Sequence, residues 1–268
     1  MTRPSATYTH GQHRSVVDSY RLRTAANSAG YLLPHLRAGM SLLDVGCGPG
    51  AITADLAEAV APGNVTALDA SAEILEQAAS LFAERGFAVR TLAAQASMTA
   101  LPDDSFDVVH AHQVLQHVGD PTGVLTELRR VCRPGGIVAA RDADYAAFTW
   151  YPRSPEITAW LDLYRQVTRA NGGEPDAGRR LRSWALLSGF TQVRASSSTW
   201  TYASTEDTLW WANMWAERLR VSQIGEQAVS GGYATRSELE QIAAGWLEWG
   251  RAPDAWFAVL HGEILCRA

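Results

Sequence analysis

Lysine is absent from the 268-residue chain, and all 23 basic residues are arginine. Schiff-base chemistry through a side-chain amine and lysine general bases are thereby excluded. Cysteine is scarce: Cys47, Cys132 and Cys266 are odd in number, far apart and not in metal-ligand spacing. Neither a disulfide framework nor a zinc site fits them, so no metal is expected and a reduced, cytoplasmic protein is. No apolar run is long enough to span a bilayer. The opening residues, Met1-Thr2-Arg3-Pro4-Ser5, lack the apolar segment of a secretory signal. There is no basic block, and the net charge is −5. Nucleic acid and membrane are therefore not expected partners.

Hydrophobic residues are plentiful, at 47%, enough for the core of one large domain spanning 1–268. The chain is organised around Leu42-Leu43-Asp44-Val45-Gly46-Cys47-Gly48-Pro49-Gly50. The apolar start reads as a buried parallel strand. The three glycines let the backbone turn tightly against a ligand with no Cβ in the way. Residues 51–58 then have helix composition. Strand, glycine turn and helix together form a nucleotide-type cofactor site on a doubly wound sheet.

Two cofactor classes compete for it. Gly46, Gly48 and Ala51 satisfy a relaxed dinucleotide pattern, so an NAD(P)-dependent oxidoreductase is one reading. Asp44 would repel a pyrophosphate, and Pro49 removes a donor that a phosphate would use. A ligand with an ammonium group and no phosphate suits Asp44 better. Asp69, at the carboxyl end of a second strand over 65–68, is placed to accept both ribose hydroxyls of an adenosine.

With the glycine motif, Asp69 and the later Arg133-Pro134-Gly135-Gly136 turn, the sequence resembles class I S-adenosylmethionine-dependent methyltransferases. The segments Tyr8-Thr9-His10-Gly11, His112-Gln113-Val114-Leu115-Gln116-His117 and Ala140-Arg141-Asp142-Ala143-Asp144-Tyr145 resemble bacterial small-molecule relatives of the ubiquinone/menaquinone methyltransferases. The resemblance implies an α/β fold: a Rossmann-like, mostly parallel seven-stranded sheet with an antiparallel edge hairpin. It implies S-adenosyl-L-methionine as cofactor and S-adenosyl-L-homocysteine as product. Asp44, Gly46, Cys47, Gly48, Gly50, Asp69, Ala70, Ser97, Met98 and His112 are the implied cofactor contacts. Ser97 departs from the acid that many relatives carry at that position, keeping an acceptor for the adenine amino group without its charge.

Along the chain, a helix is expected over 24–33 and another over 72–85, capped by Ser71 and ended by Gly86. A third strand is expected over 87–92 and a fourth over 106–111. Asp120-Pro121 starts a helix whose buried side is Val124, Leu125, Leu128 and Val131. A fifth strand covers 137–140, helices cover 155–170 and 181–188, and strands over 190–202 and 254–266 make the edge hairpin.

Residues 1–23 are a polar leader, which the resemblance makes a lid segment over the cleft; a solvated arm is the competing reading. Residues 204–252 form a helical insertion between the last two strands. All ten tryptophans lie at or after residue 150. Trp211 and Trp215 share a helical face; packing of the added helices is the default reading, with an aromatic substrate pocket or a homodimer surface as alternatives.

The function expected is methyl transfer to a small-molecule acceptor, an aromatic or heteroaromatic natural product, indole-type rings included, in secondary metabolism. Substrate-side candidates are Tyr8, Asp142, Trp211 and Trp215. His117, Tyr145 and His10 are the candidates for orienting the acceptor or taking its proton. A structural ion pair between Arg141 and one of the neighbouring acids is an equal account of that acid. A non-catalytic cofactor-binding protein is the further alternative.

Overall fold

A computed structural model describes residues 23–268. Within them one sheet holds eight strands: β1 Leu42–Val45, β2 Val65–Asp69, β3 Val89–Ala93, β4 Phe106–His112, β5 Cys132–Ala143, β6 Thr149–Tyr151, β7 Gln192–Tyr202 and β8 Trp256–Arg267. The order β3-β2-β1-β4-β5 is parallel throughout. β8 runs antiparallel beside β5, and β7 covers its outer edge along eleven residues. The expected edge hairpin is therefore present. β6, which the sequence reading does not contain, adds three residues to the amino-terminal end of β8.

The helices are α1 Ala25–Ser28, α2 Ala51–Val60, α3 Ala72–Glu84, α4 Pro121–Val131, α5 Pro155–Ala170, α6 Leu181–Leu187, α7 Thr205–Val221, α8 Gln223–Ser230 and α9 Arg236–Trp249. Most start where the capping residues say they should. Ser71, Asp120, Ser154 and Thr235 each accept from a backbone N–H in the first turn.

Two spans differ from expectation. The helix expected over 24–33 closes after one turn at Ala29, and a separate 3-10 turn follows at Leu33–His35. Within the helical insertion expected over 204–252, the first helix breaks at Ser222, whose extended backbone ends α7 and starts α8. β5 also begins earlier than expected. Cys132 pairs with Phe106, after which residues 133–136 loop out before Ile137 pairs with Val108; Gly135 takes φ +79° in that loop.

The two faces of the sheet bury different cores. One face packs Leu43, Val45, Val109, Ala111, Val138 and Ala140 against α4 and α6. The other packs Leu42, Val108, Ile137 and Ala139 against α1 and α2. A separate aromatic core joins α5, α7 and α9 around Trp160, Trp215 and Trp246. Trp215 is 1% exposed and Trp211 7%. Both therefore serve the helical core, which corrects the expectation of a tryptophan pocket built from them.

Candidate active site

At the carboxyl end of β1 the backbone turns through Gly46 (φ +68°), Gly48 (+54°) and Gly50 (+89°). An L-residue is strained in this region, so three glycines in five positions follow directly from the turn. Space adds to the demand. A Cβ at Gly50 would meet the Phe82 ring at 2.7 Å, and one at Gly46 would collide with Val114. Asp69 stands at the end of β2, half-buried. Its Oδ2 accepts from the Gly48 N–H at 3.0 Å and its Oδ1 from the Ser71 N–H at 3.0 Å. Each oxygen keeps a second lone pair, the acceptor set that a pair of ribose hydroxyls needs. Ala70, Ser97 and Met98 are exposed along the same end of the sheet. Met98, at 73%, leaves an apolar side chain uncovered there. A glycine turn open to close approach and an acid with spare lone pairs fit an adenosine-bearing cofactor.

Asp44 lies underneath this turn rather than at its surface. Its Oδ1 is 2.7 Å from His110 Nδ1, and its Oδ2 accepts from the Thr53 hydroxyl at 2.5 Å. The carboxylate expected to meet a ligand ammonium is thus committed to joining β1, β4 and α2. Cys47 is buried, and burial pushes its thiol well above the ordinary range, with Asp44 and Asp69 adding to the shift.

The acceptor side is assembled by register. His112, Arg141, Glu263 and Ser196 form one row across β4, β5, β8 and β7. Arg141 is 1% exposed. Its Nε lies 3.3 Å from Glu263 Oε1 and 3.1 Å from the Ser198 hydroxyl. Burial lowers it to about 10, against the pull of Glu263. The half-buried Trp200 closes the group. Its ring lies 4.9 Å from the Arg141 charge centre, 4.4 Å from the His261 ring and 5.7 Å from the His112 ring. Its Nε1–H donates to the Asn27 carbonyl at 2.8 Å.

The histidines here are neutral. Burial, followed by the charge of Arg141, holds His112 and His261 well below their ordinary range. His261 donates from Nδ1 to the Val259 carbonyl at 3.1 Å, and its Nε2 takes the Gln113 amide at 2.9 Å, which fixes the tautomer. Neither nitrogen of His112 has a hydrogen-bond partner among the described residues.

His117 sits on the short turn after β4, pushed down to about 3 by burial and then by Arg23. The Gln116 amide donates to its Nε2 at 2.9 Å, while Gln116 Oε1 accepts from the Ala143 N–H. The second bond pins the amide, so the lone pair a base would use is already occupied. Tyr145 stacks on Tyr164 at 4.0 Å and touches Phe148 at 4.4 Å in the aromatic core. Asp142 points to the opposite face from Arg141; its Oδ1 accepts from the Gln116 N–H at 3.0 Å, and burial raises it to about 7. Asp144 is fully engaged by Arg179, bonded through Nε at 2.7 Å and Nη2 at 2.6 Å. The ion pair considered for Arg141 is therefore made with Glu263 instead of a neighbouring acid. Tyr8 and His10 lie outside the described residues.

Arg141, Trp200, His261 and Glu263 were not singled out from sequence as site residues. A signal was available: an arginine directly after Ile137-Val138-Ala139-Ala140, and a glutamate directly before Ile264-Leu265, are charges inside buried strands that must find each other.

Residues 43–140 match the family described as Methyltransferase domain. The chain is 29% identical over 267 residues to an uncharacterised methyltransferase of Schizosaccharomyces pombe, covering 96% of this chain and 95% of that protein. It is 36% identical over 102 residues to the ubiquinone/menaquinone biosynthesis C-methyltransferase of Bdellovibrio bacteriovorus, covering 38% of this chain and 43% of that protein. Among solved structures it is similar in fold to a phosphoethanolamine N-methyltransferase of Haemonchus contortus, held with phosphomonomethylethanolamine and S-adenosylhomocysteine. The TM-score is 0.59 at 15% identity, over 96% of this chain and 58% of that one.

Proposed function

The chain belongs to the class I S-adenosylmethionine-dependent methyltransferases acting on small molecules, and from that premise we propose that its acceptor is a small aromatic or heteroaromatic molecule, indole-type rings included. The observation that carries this is the half-buried Trp200 ring beside His112 and His261, at the carboxyl ends of β4 and β5. An aromatic wall beside neutral imidazoles offers flat apolar contact and selects a flat partner.

The cofactor, once bound, supplies an activated sulfonium methyl. The protein's task is then to hold the acceptor close, aligned and dry. Gly46, Gly48, Gly50, Asp69, Ala70, Ser97 and Met98 are assigned to the cofactor side. Trp200 and the buried His112, Arg141 and Glu263 beside it are assigned to the acceptor side. Where the acceptor carries a proton that must leave, His112 is the better placed imidazole, since it is neutral and both its nitrogens lack partners. His117 is held by Gln116 and serves to position the turn. The helices between β7 and β8 are read as an insertion in a single domain, and a place in secondary metabolism follows from the acceptor class.

The test is methyl transfer from isotopically labelled cofactor to a panel of indoles, phenols, quinones and aliphatic amines, followed by mass spectrometry. Aromatic products are expected, with the acceptor KM raised at least tenfold in Trp200→Ala. Methylation of aliphatic members alone, or an unchanged KM in Trp200→Ala, would refute the aromatic assignment.

A further inference from the structure

Arg141 carries a second, unused half. Its Nε serves Glu263 and Ser198, but Nη1 and Nη2 are both buried with no hydrogen-bond partner. The hydroxyl of Tyr31 and both ring nitrogens of His112 are buried and unpartnered in the same way. These are not scattered orphans. His112 is the register neighbour of Arg141 across β4 and β5. Tyr31 packs against the core that holds Ile137 and Ala139, on the face of β5 that Arg141 shares, and burial raises its phenol well above the ordinary value. A fixed fork of two N–H-bearing nitrogens, a hydroxyl and an imidazole thus converge without acceptors among the described residues.

A buried guanidinium with its fork unpaired is costly, because its hydration is lost and the Trp200 ring against its face supplies no hydrogen-bond acceptor. Glu263 does not reach the fork, since it is occupied on the Nε side and by Ser196 and Ser198. The group that completes the fork must be anionic and able to accept two parallel hydrogen bonds. A carboxylate has that shape.

We propose that the acceptor carries a carboxylate, gripped by Nη1 and Nη2 of Arg141 with Tyr31 and His112 as supporting donors, while its ring lies against Trp200. This rests on the reading of the chain as a methyltransferase with an aromatic acceptor, and it narrows that class to aromatic acids. The cofactor's own amino-acid carboxylate is the other source of the same chemistry. Position argues for the acceptor: Arg141 is on β5, separated by β4 from β1 and its glycine turn.

The experiment pairs acids with their amides: benzoate with benzamide, phenylacetate with phenylacetamide, indole-3-acetate with indole-3-acetamide. Binding to the full chain saturated with S-adenosylhomocysteine is read by ligand-observed NMR, and S-adenosylhomocysteine affinity is read separately by calorimetry. In the wild type at least one acid should bind ten times more tightly than its amide. Arg141→Gln should bring that ratio near one and leave S-adenosylhomocysteine affinity within twofold. Arg141→Lys, which keeps the charge and loses the fork, should fall between. Tyr31→Phe removes only an unpaired hydroxyl, and should weaken acids severalfold without affecting amides even if Arg141→Gln fails to fold. A wild-type ratio near one for every pair, or a ratio that survives in every variant that folds, overturns the proposal. So does Arg141→Gln losing S-adenosylhomocysteine affinity while the acid preference persists, which would assign the fork to the cofactor. Aromatic methylation with no acid preference sinks this inference alone, whereas absence of S-adenosylhomocysteine binding by the wild type sinks the reading beneath it.

Discussion

Asp44 Oδ1 and His110 Nδ1 lie 2.7 Å apart beneath the glycine turn, both side chains buried. With Thr53 on the other oxygen, this pair ties β1, β4 and α2 into the platform from which Gly46, Gly48 and Gly50 rise. Asp69 stands on the same turn but half-exposed, bonded only to backbone N–H groups.

The two acids should therefore fail differently. Asp44→Ala leaves buried His110 and Thr53 without an acceptor, at a cost of about 2–4 kcal/mol in unfolding free energy. Cofactor affinity falls with it, because the platform loosens. Asp69→Ala should cost under about 1 kcal/mol of stability but weaken cofactor binding by about 1–3 kcal/mol, the worth of charge-assisted bonds to a hydroxyl pair. Urea unfolding and calorimetry on both variants separate the roles; equal stability losses would contradict this division.

The chain should be acid-labile. His112 and His261 are held well below the ordinary imidazole value and His117 at about 3, in each case by burial first. An imidazole depressed in the folded state takes its proton only on unfolding, so stability is lost as pH falls below about 6.5. Asp142 acts oppositely. Raised to about 7, it keeps a proton in the folded state that the unfolded chain releases above about 4. Three imidazoles that gain protons on unfolding outnumber the one carboxyl that releases its own, so stability should fall as pH drops below about 6.5. Thermal unfolding from pH 7 to 4.5 should show a steep fall in midpoint, shallower in His112→Asn. A flat profile would mean that these imidazoles are not held neutral.

How much of this was legible depends on range along the chain. The motif at 42–50, the acid at 69 and the caps at 71 and 120 are local patterns, and local chemistry decides them. The row His112, Arg141, Glu263, Ser196 is not local. Its members come from four strands, and only the antiparallel placement of β8 between β5 and β7 brings them level. The same limit explains Trp211 and Trp215. Their helical spacing was visible, but their neighbours come from elsewhere in the chain: α5 and α9 bring Trp160 and Trp246 against Trp215, and β7 brings Tyr202 against Trp211. β6 was missed because three residues carry almost no pattern; pairing with β8 makes it a strand.

The aromatic core and the aromatic wall should separate on substitution. Trp215 meets Trp160 edge-on at 4.4 Å and is closed from solvent. Trp215→Ala should destabilise the fold by about 3–5 kcal/mol through the cavity it leaves. Trp200 is half-buried on β7, so Trp200→Ala should cost less than about 2 kcal/mol while impairing acceptor binding. Circular dichroism melts and acceptor KM values decide the matter.

The three thiols should be inert. Cys47, Cys132 and Cys266 are buried and free. Burial pushes Cys132 and Cys266 up to about 12 and Cys47 well above its ordinary value. The thiolate is the reactive species, so alkylation at pH 7.5 should be slow for all three. Mass spectrometry after iodoacetamide should find under one label per chain until denaturant is added. Rapid labelling of Cys47 would show that the glycine turn opens readily, and bound S-adenosylhomocysteine should then suppress it.

For proton transfer the sequence pointed to His117, and the geometry favours His112. A neutral imidazole offers one lone pair. In His117 that lone pair is occupied by the Gln116 amide, which the Ala143 N–H holds in orientation. In His112 neither nitrogen is engaged. With an acceptor that must lose a proton, His112→Ala should lower the single-turnover rate by about 10²–10⁴-fold, the usual worth of a positioned base. His117→Ala should cost less than about tenfold, through a looser turn, and Tyr145→Phe should be close to neutral. The variants decide between the two, while the pH profile checks the environment. Because His112 and His117 are both held well below the ordinary imidazole range by burial, the wild-type rate should be level from pH 8 down to about 6 with either as base. A rate lost in His117→Ala and kept in His112→Ala would return the role to His117. A level profile abolished only by His112→Ala places the proton acceptor on the row that also carries Arg141.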